Sequence, residues 1–183
     1  PRMSVRKSAS GMRMTLDGIA PGYAVDRIAA ALRHLGHTDF IVEIGGEVRA
    51  AGQRPEGGPW RTAMRAPLAI RREPLVGLRL RDAAVSTSGD YRDARIDTEG
   101  RRYSHTIDPR TGRTTASALT AVTVIDANAI RADAYATALM VMGTEAGLAW
   151  AQAQRVPALF VERTVQPGEW RVVESPAFAE WRE

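Results

Sequence analysis

The stretch from 130 to 140 constrains the fold most, because it combines a helical pattern, small side chains and two isolated polar groups. It reads IRADAYATALM, in which alanine occupies every second position from Ala132 to Ala138. Asp133 and Thr137 are four residues apart. A helix therefore places both side chains on one face, and the alanines leave room beside them.

Two interpretations of this polar pair are open. An ionised carboxylate on an apolar surface is costly unless something compensates its charge. Mg²⁺ would compensate it, because this ion prefers carboxylate, hydroxyl and carbonyl oxygens. Alternatively, Asp133 is solvated or bonded within its helix, and Thr137 donates to a helix carbonyl. Taken alone, the pair favours this second interpretation.

The composition narrows the class of protein. The 183 residues, 44% of them hydrophobic, predict a loose lead-in at 1–10 and a single globular domain at 11–183. The net charge is +4, but the arginines are scattered among acids and turns without a basic helix face, so we expect no nucleic acid partner. There is no cysteine for a disulfide or a thiolate site, and no apolar run approaches the roughly 20 residues of a membrane span.

The order of the elements predicts the fold class. Helices are expected near 22–35, up to Gly143 after a start signal at 126–128, and at 144–154. Strands are expected at 12–16, 40–44, 47–52, 60–65, 75–81, 83–87, from 103, at 119–125, 157–162 and 170–173. This order lacks the strand-helix rhythm of a doubly wound fold, and there is no GxGxxG or Walker motif. We predict an α+β (α/β mixed) fold with a largely antiparallel, meandering sheet and helices packed on one side.

Two glycine-containing segments are ambiguous when only the residues are considered. Gly45 and Gly46 interrupt an apolar run, which indicates either a close approach to a ligand or a simple hairpin kink. Ser88 and Gly89 end a predicted strand, where hydroxyls and free amides can bind a phosphate, although a plain turn is the simpler interpretation.

A histidine lies in the strand predicted from 103. His105 alternates with Tyr103 and Ile107 on one face of that strand. From the pattern alone, it is more simply a hydrogen-bonded core or edge residue than a catalyst. A hairpin tip is expected just before it, at 93–101.

Five segments between residues 12 and 145 resemble, in order, the motifs of the ApbE family. They are LDGIAPGYAVD (16–26), IGGEVRAAG (44–52), TSGDY (87–91), HTIDPRTG (105–112) and ADAYATAL (132–139). The resemblance implies an ApbE-like, T-fold-like domain, here without the N-terminal part of the family. It also implies a magnesium-dependent FAD:protein FMN transferase, which attaches FMN through a phosphoester to a threonine or serine of a target protein and releases AMP.

The resemblance also implies roles for individual residues. The metal ligands would be the carboxylate of Asp133, the hydroxyl of Thr137 and the backbone carbonyl of Gly18. His105 matches the family histidine before the DPRTG run and would be the general base, since imidazole accepts protons near neutral pH. The remaining positions would contact the flavin or its phosphates: Thr15, Pro21, Gly45, Gly46, Ser88, Gly89 and Ile107.

Two of these positions depart from the family pattern. Pro21 stands where many members have lysine, and Thr15 stands where they carry aspartate. Loss of a cation and an acid suits an alternative function, that of an FAD-binding maturation or flavin-holding protein without transferase activity. Under either function the implied partners are FAD and a flavin-acceptor protein of an electron-transfer complex. The family alone implies a periplasmic or cell-envelope location.

Overall fold

The computed structural model describes residues 4–65, 74–89, 95–96, 102–103, 105–115, 118–166 and 168–183. Within them the chain forms three α-helices, a 3-10 helix and twelve strands. The helices are α1 (Ala20–His34), α2 (Ala129–Met142), α3 (Thr144–Ala153) and the 3-10 helix (Pro176–Trp181). The strands are β1 (Phe40–Ile44), β2 (Glu47–Ala51), β3 (Trp60–Arg65), β4 (Pro74–Leu80), β5 (Ala83–Gly89), β6 (Arg95–Ile96), β7 (Arg102–Tyr103), β8 (Ile107–Asp108), β9 (Arg113–Thr114), β10 (Leu119–Asp126), β11 (Ala158–Arg163) and β12 (Trp170–Glu174).

Six of these strands form one antiparallel sheet in the order β1-β2-β5-β10-β11-β12. The other six form three antiparallel pairs, β3 with β4, β6 with β7 and β8 with β9. The predicted fold class is confirmed, because most strands pair with a near neighbour in the sequence, as a meander does.

The two faces of the sheet carry different layers. Side chains alternate along β10, so that Val122 and Val124 pack with Ala136 and Leu139 of α2. On the opposite face, Ile125 packs in a second cluster with side chains of the β3–β4 hairpin and the 3-10 helix, among them Met64, Leu78, Leu80 and Phe178. The three α-helices lie on one side of the sheet, as predicted, and the β3–β4 hairpin and the 3-10 helix cover the other side.

Most predicted elements agree with the structure to within two residues, but the strand at 12–16 is wrong. These residues belong to no helix or strand, and Met12, Met14 and Leu16 are exposed. Alternating apolar and polar residues define a strand only where a neighbouring strand pairs with the backbone. Among the described strands, none lies alongside this segment.

The region around the predicted hairpin tip at 93–101 is described only in part. Strand β6 pairs with β7, as the two sides of a hairpin do, but residues 97–101 between them lie outside the described residues. In the parts of the chain that the structure covers, no helix is both long and apolar enough to cross a bilayer.

Candidate functional site

The helices α1 and α2 approach each other closely at a glycine. A Cβ atom added to Gly22 would lie 2.5 Å from the carbonyl oxygen of Ala129 and 2.9 Å from the Cβ of Asp133. One turn earlier, a Cβ atom on Gly18 would lie 3.0 Å from the hydroxyl oxygen of Thr137. Gly18 faces Thr137, whereas Gly22 faces Ala129 and Asp133. Residue numbers therefore increase in opposite directions along the two segments, which run antiparallel. The structure thus brings together Gly18, Asp133 and Thr137, the residues that the family resemblance implies as metal ligands.

The carboxyl group of Asp133 is enclosed by this contact. The residue is only 4% exposed, and its Oδ2 accepts a 3.0 Å hydrogen bond from the backbone N–H of Gly22. No donor among the described residues reaches Oδ1. Burial raises the pKa of the Asp133 carboxyl above its ordinary value, while the hydrogen bond from Gly22 acts in the opposite direction. Oδ1 is therefore the oxygen of this carboxyl group that a cation could bind.

A second hydroxyl lies beside Thr137. The Oγ of Ser88 is 3.0 Å from the Oγ1 of Thr137, and either atom can donate. Strand β5 continues through Gly89, so Ser88 and Gly89 pair with Val122 and Ala121 instead of forming the predicted turn. The sheet therefore holds Ser88 against the polar face of α2.

The donor set fits a magnesium ion that also binds phosphate. Carboxylate, hydroxyl and backbone carbonyl are hard oxygen ligands, and Mg²⁺ is usually held by one or two carboxylates together with water and phosphate oxygens. Within the described ranges there is no cluster of three or more His, Asp or Glu side chains that would hold a metal alone. A single buried carboxylate with one unbonded oxygen is suited to this shared coordination.

The start of α1 and the residues just before it carry the two positions that depart from the family pattern. Thr15 is exposed, and its hydroxyl accepts a 3.2 Å hydrogen bond from the backbone N–H of Asp17, which closes a local turn just before Gly18. Pro21 lies in the first turn of α1, as expected for a residue without an amide hydrogen. Both residues lie in the segment that carries Gly18 and Gly22.

The glycine pair forms the turn between β1 and β2. Ile44 pairs with Glu47, and both Gly45 (φ 70°) and Gly46 (φ 115°) have positive φ, as in the tight turns of two-residue hairpins. The hairpin interpretation is therefore correct. Glu47 is buried and accepts a 3.3 Å hydrogen bond from Ser86, two residues before Ser88 on β5. This bond connects the first residue after the glycine turn to the strand that supports Thr137.

His105 lies in a different part of the chain. The strand predicted from 103 is wrong in its middle, because β7 ends at Tyr103 and β8 begins at Ile107. Asp108 accepts hydrogen bonds from the backbone and guanidinium of Arg110, which lower the pKa of its carboxyl and close a separate turn. His105 and Ile107 are exposed, and within the described residues no hydrogen bond or ion pair connects them to Asp133 or Thr137.

Comparison with known proteins identifies the family of this chain. A model of the ApbE family matches residues 2–160. The chain belongs to the ApbE family. It is 40% identical over 161 residues to the FAD:protein FMN transferase of Vibrio cholerae, covering 88% of this chain and 48% of that protein. It is 36% identical over 141 residues to the enzyme of the same name from Escherichia coli K12, covering 77% of this chain and 40% of that protein.

Solved ApbE structures share the fold. The apo form of the flavinyl transferase ApbE from Pseudomonas stutzeri matches with a TM-score of 0.79 and 43% identity, covering 92% of this chain and 51% of that one. The ApbE protein of Thermotoga maritima matches with a TM-score of 0.81 and 31% identity, covering 95% and 55% of the two chains. The present chain thus spans about half the length of these ApbE relatives.

Two residues of this ApbE-family chain were missed by sequence reasoning. They are Asp26 of α1 and Arg49 of β2. The carboxylate of Asp26 accepts hydrogen bonds from the first two amides of α2 and pairs with Arg49. The sequence does indicate that Asp26 lies on the same face of α1 as Gly22, because the two are one helical turn apart. The identity of its partners depended on tertiary packing.

Proposed function

We propose that this chain provides the magnesium and pyrophosphate site of an FAD:protein FMN transferase. The observation that carries the proposal is the buried carboxylate of Asp133, which has one oxygen bonded to Gly22 and the other without a donor among the described residues. The names of the relatives support the reaction, and the donor chemistry of Gly18, Asp133 and Thr137 supports a hard cation as the group that the site would hold.

The proposed reaction exchanges the phosphoanhydride bond of FAD for a phosphoester bond. The hydroxyl oxygen of a threonine or serine in the acceptor protein forms a bond to the phosphorus of the FMN half of FAD. The bond from that phosphorus to the bridging oxygen breaks, AMP leaves with the bridging oxygen, and the hydroxyl proton passes to a base. A bound magnesium ion supplies charge neutralisation on the pyrophosphate oxygens, which is the main requirement of phosphoryl transfer.

The residues of the chain have separate tasks in this proposal. Asp133, Thr137 and the Gly18 carbonyl hold the metal. The Gly22 amide fixes Oδ2 of Asp133, so that Oδ1 is available as a ligand. Ser88 orients the Thr137 hydroxyl from the sheet. His105 accepts the proton of the acceptor hydroxyl, a role that rests on the family motif and on its exposed position.

The primary test measures transfer directly. The chain is incubated with FAD, Mg²⁺ and an acceptor peptide that contains a threonine, and a second sample receives EDTA. We expect flavin fluorescence on the acceptor that survives denaturation, together with AMP release, and we expect neither in the EDTA sample. Bound FAD without AMP release would instead support the flavin-holding alternative.

The hydroxyl of Thr137 can be tested with a substitution that keeps its shape. We expect Thr137→Val to raise the Mg²⁺ concentration needed for half-maximal transfer by at least about 10-fold, because removal of groups that only support a metal ligand already costs about 10-fold to 100-fold. The matched control is Thr87→Val, because Thr87 precedes Ser88 but bonds Thr123 on the opposite face of the sheet. An equal Mg²⁺ dependence of the two variants would contradict the assignment of Thr137.

A further inference from the structure

Asp26 and Arg49 connect three elements without belonging to the proposed metal site. The carboxylate of Asp26, on α1, accepts 3.0 Å hydrogen bonds from the backbone N–H groups of Ala129 and Ile130, at the start of α2. The guanidinium of Arg49, on β2, donates to the same carboxylate. Both side chains are largely buried, at 18% and 12% exposure. The pair therefore joins α1, α2 and the sheet at one point.

The two helices cap each other. Neither Ile19 before α1 nor Asn128 before α2 makes a side-chain capping bond to its own helix. Instead, Asp26 of α1 satisfies amides in the first turn of α2, and Asp133 of α2 satisfies the Gly22 amide in the first turn of α1. The first amides of a helix need such acceptors, because they have no intrahelical partner. Each helix is thus complete only when the other lies in the correct position.

The spacing of these caps links them to the metal ligands. Gly22 precedes Asp26 by four residues, and Ala129 precedes Asp133 by four. Both caps therefore lie on the contact between the helices, one turn apart. Thr137 and Gly18 continue the same series one further turn along. A slip of α2 by one turn, about 5.4 Å, would separate Asp133 from Gly22 and Thr137 from Gly18 together.

We propose that Asp26 and Arg49 form a positioning pair, which fixes the register of α2 against α1 and so places Asp133 and Thr137 at the Gly18–Gly22 segment. Arg49 is held within the sheet, where its backbone pairs with Val42 on one side and Ala84 on the other. It therefore anchors the Asp26 carboxylate to a rigid element. The functional part of this inference rests on the proposed transferase, but the register itself does not.

The Gly22 amide is a direct probe of the register. It lies in the first turn of α1, and its hydrogen-bond acceptor is Asp133 Oδ2. We expect Asp26→Ala to speed hydrogen exchange at the Gly22 amide about fivefold to tenfold beyond any change at the amides of β10 and β11, as loss of a cap does. Asp26→Asn keeps one acceptor and the same shape, and we expect a smaller change in the same direction.

The control is a buried serine far from the site. Ser175→Ala removes hydrogen bonds to Val156 and Ala158 at the other side of the sheet, so it should lower stability without a selective effect at Gly22. If both Asp26 variants accelerate exchange at Gly22, β10 and β11 by the same factor, as a general loss of stability would, the pair is only a stabilising contact and the proposal is overturned. Hydrogen exchange is measured without flavin, so its outcome does not depend on whether the chain transfers FMN.

A second measurement tests the functional consequence. In the transfer assay, we expect Asp26→Asn to raise the Mg²⁺ concentration for half-maximal activity about threefold to tenfold while the rate at saturating Mg²⁺ changes much less, because the ligands remain present but poorly placed. A reduced maximal rate with unchanged Mg²⁺ dependence would contradict a positioning role. An inactive parent chain would count against the proposed function alone, since hydrogen exchange still decides the register.

Discussion

Replacing Asp133 with asparagine is expected to abolish flavin transfer and, at the same time, to stabilise the metal-free chain. The asparagine carbonyl can still accept the Gly22 hydrogen bond, but the buried negative charge is removed. We expect a gain on the order of 1 kcal/mol in the free energy of unfolding at neutral pH. Transfer should fall by more than about 100-fold, since a direct metal ligand matters more than the groups that support it.

The pH dependence of stability follows from the same carboxyl group. Burial raises the pKa of Asp133 in the folded chain above the value of 3.8 for an unperturbed carboxyl, so the folded state binds this proton more tightly than the unfolded state does. The stability that this proton contributes is fully present below the pKa of Asp133 in the unfolded state. It is lost as the pH rises through the pKa of Asp133 in the folded state. Asp133→Asn has no carboxyl group at this position and does not lose stability in this way. The difference in the free energy of unfolding between Asp133→Asn and the parent, measured in urea, should therefore grow from acid to neutral pH.

The matched control is Asp39, whose carboxyl is in the opposite situation. Hydrogen bonds from the Gln53 backbone and the Thr38 hydroxyl lower its pKa. Asp39→Asn should therefore not stabilise the chain at neutral pH, and transfer should be unaffected. If Asp133→Asn is less stable than the parent at neutral pH, the negative charge of Asp133 is already compensated without a metal.

The strands and helices were largely predictable because their signals are local. The strand expected at 40–44 has the observed limits of β1. The helices expected to end near residue 35 and at Gly143 do end there, next to glycines of positive φ at 36 and 143. The alternation at 12–16 failed for the same reason that local signals usually fail. It describes which side chains could share a face but does not provide the neighbouring strand that such a face requires.

The candidate site was predictable in part. The spacing of Asp133 and Thr137 was sufficient to place them on one face, and the family motif added Gly18. The buried state of Asp133 could not be deduced from that spacing, because it depends on the approach of Gly22 from another helix. The capping role of Asp26 was missed for a related reason. A sequence shows that the start of α2 needs acceptors, but an acceptor more than a hundred residues away leaves no local pattern.

The residues predicted to contact the flavin illustrate a different limit. The structure brings Ser88 to Thr137, and it connects the Gly45–Gly46 turn to β5 through Glu47 and Ser86. His105 shares no described hydrogen bond with this group. The role of His105 as a base therefore stays a prediction. That role depends on the position of the β8–β9 hairpin when FAD and an acceptor are bound.

The contact between α1 and α2 makes a strong prediction at Gly22. We expect Gly22→Ala to destabilise the chain by about 2 kcal/mol, although alanine favours a helix over glycine by about 1 kcal/mol. The added methyl group would lie 2.5 Å from the Ala129 carbonyl oxygen, so α1 and α2 must move apart. Because backbone atoms form the obstacle, rotation of a side chain cannot relieve the clash. The same movement would break the hydrogen bond from Gly22 to Asp133.

Gly22→Ala should therefore lose both stability and transfer, unlike Asp133→Asn, which is expected to lose only transfer. Urea unfolding and the FAD transfer assay measure the two effects. Gly11→Ala is the control, since a Cβ atom there would meet nothing within 4 Å, and both quantities should stay at the parent values. If Gly22→Ala retains the parent stability, the helices do not approach as closely as the structure indicates. The register proposed for Asp133 and Thr137 then has no basis, because the same contact places both ligands.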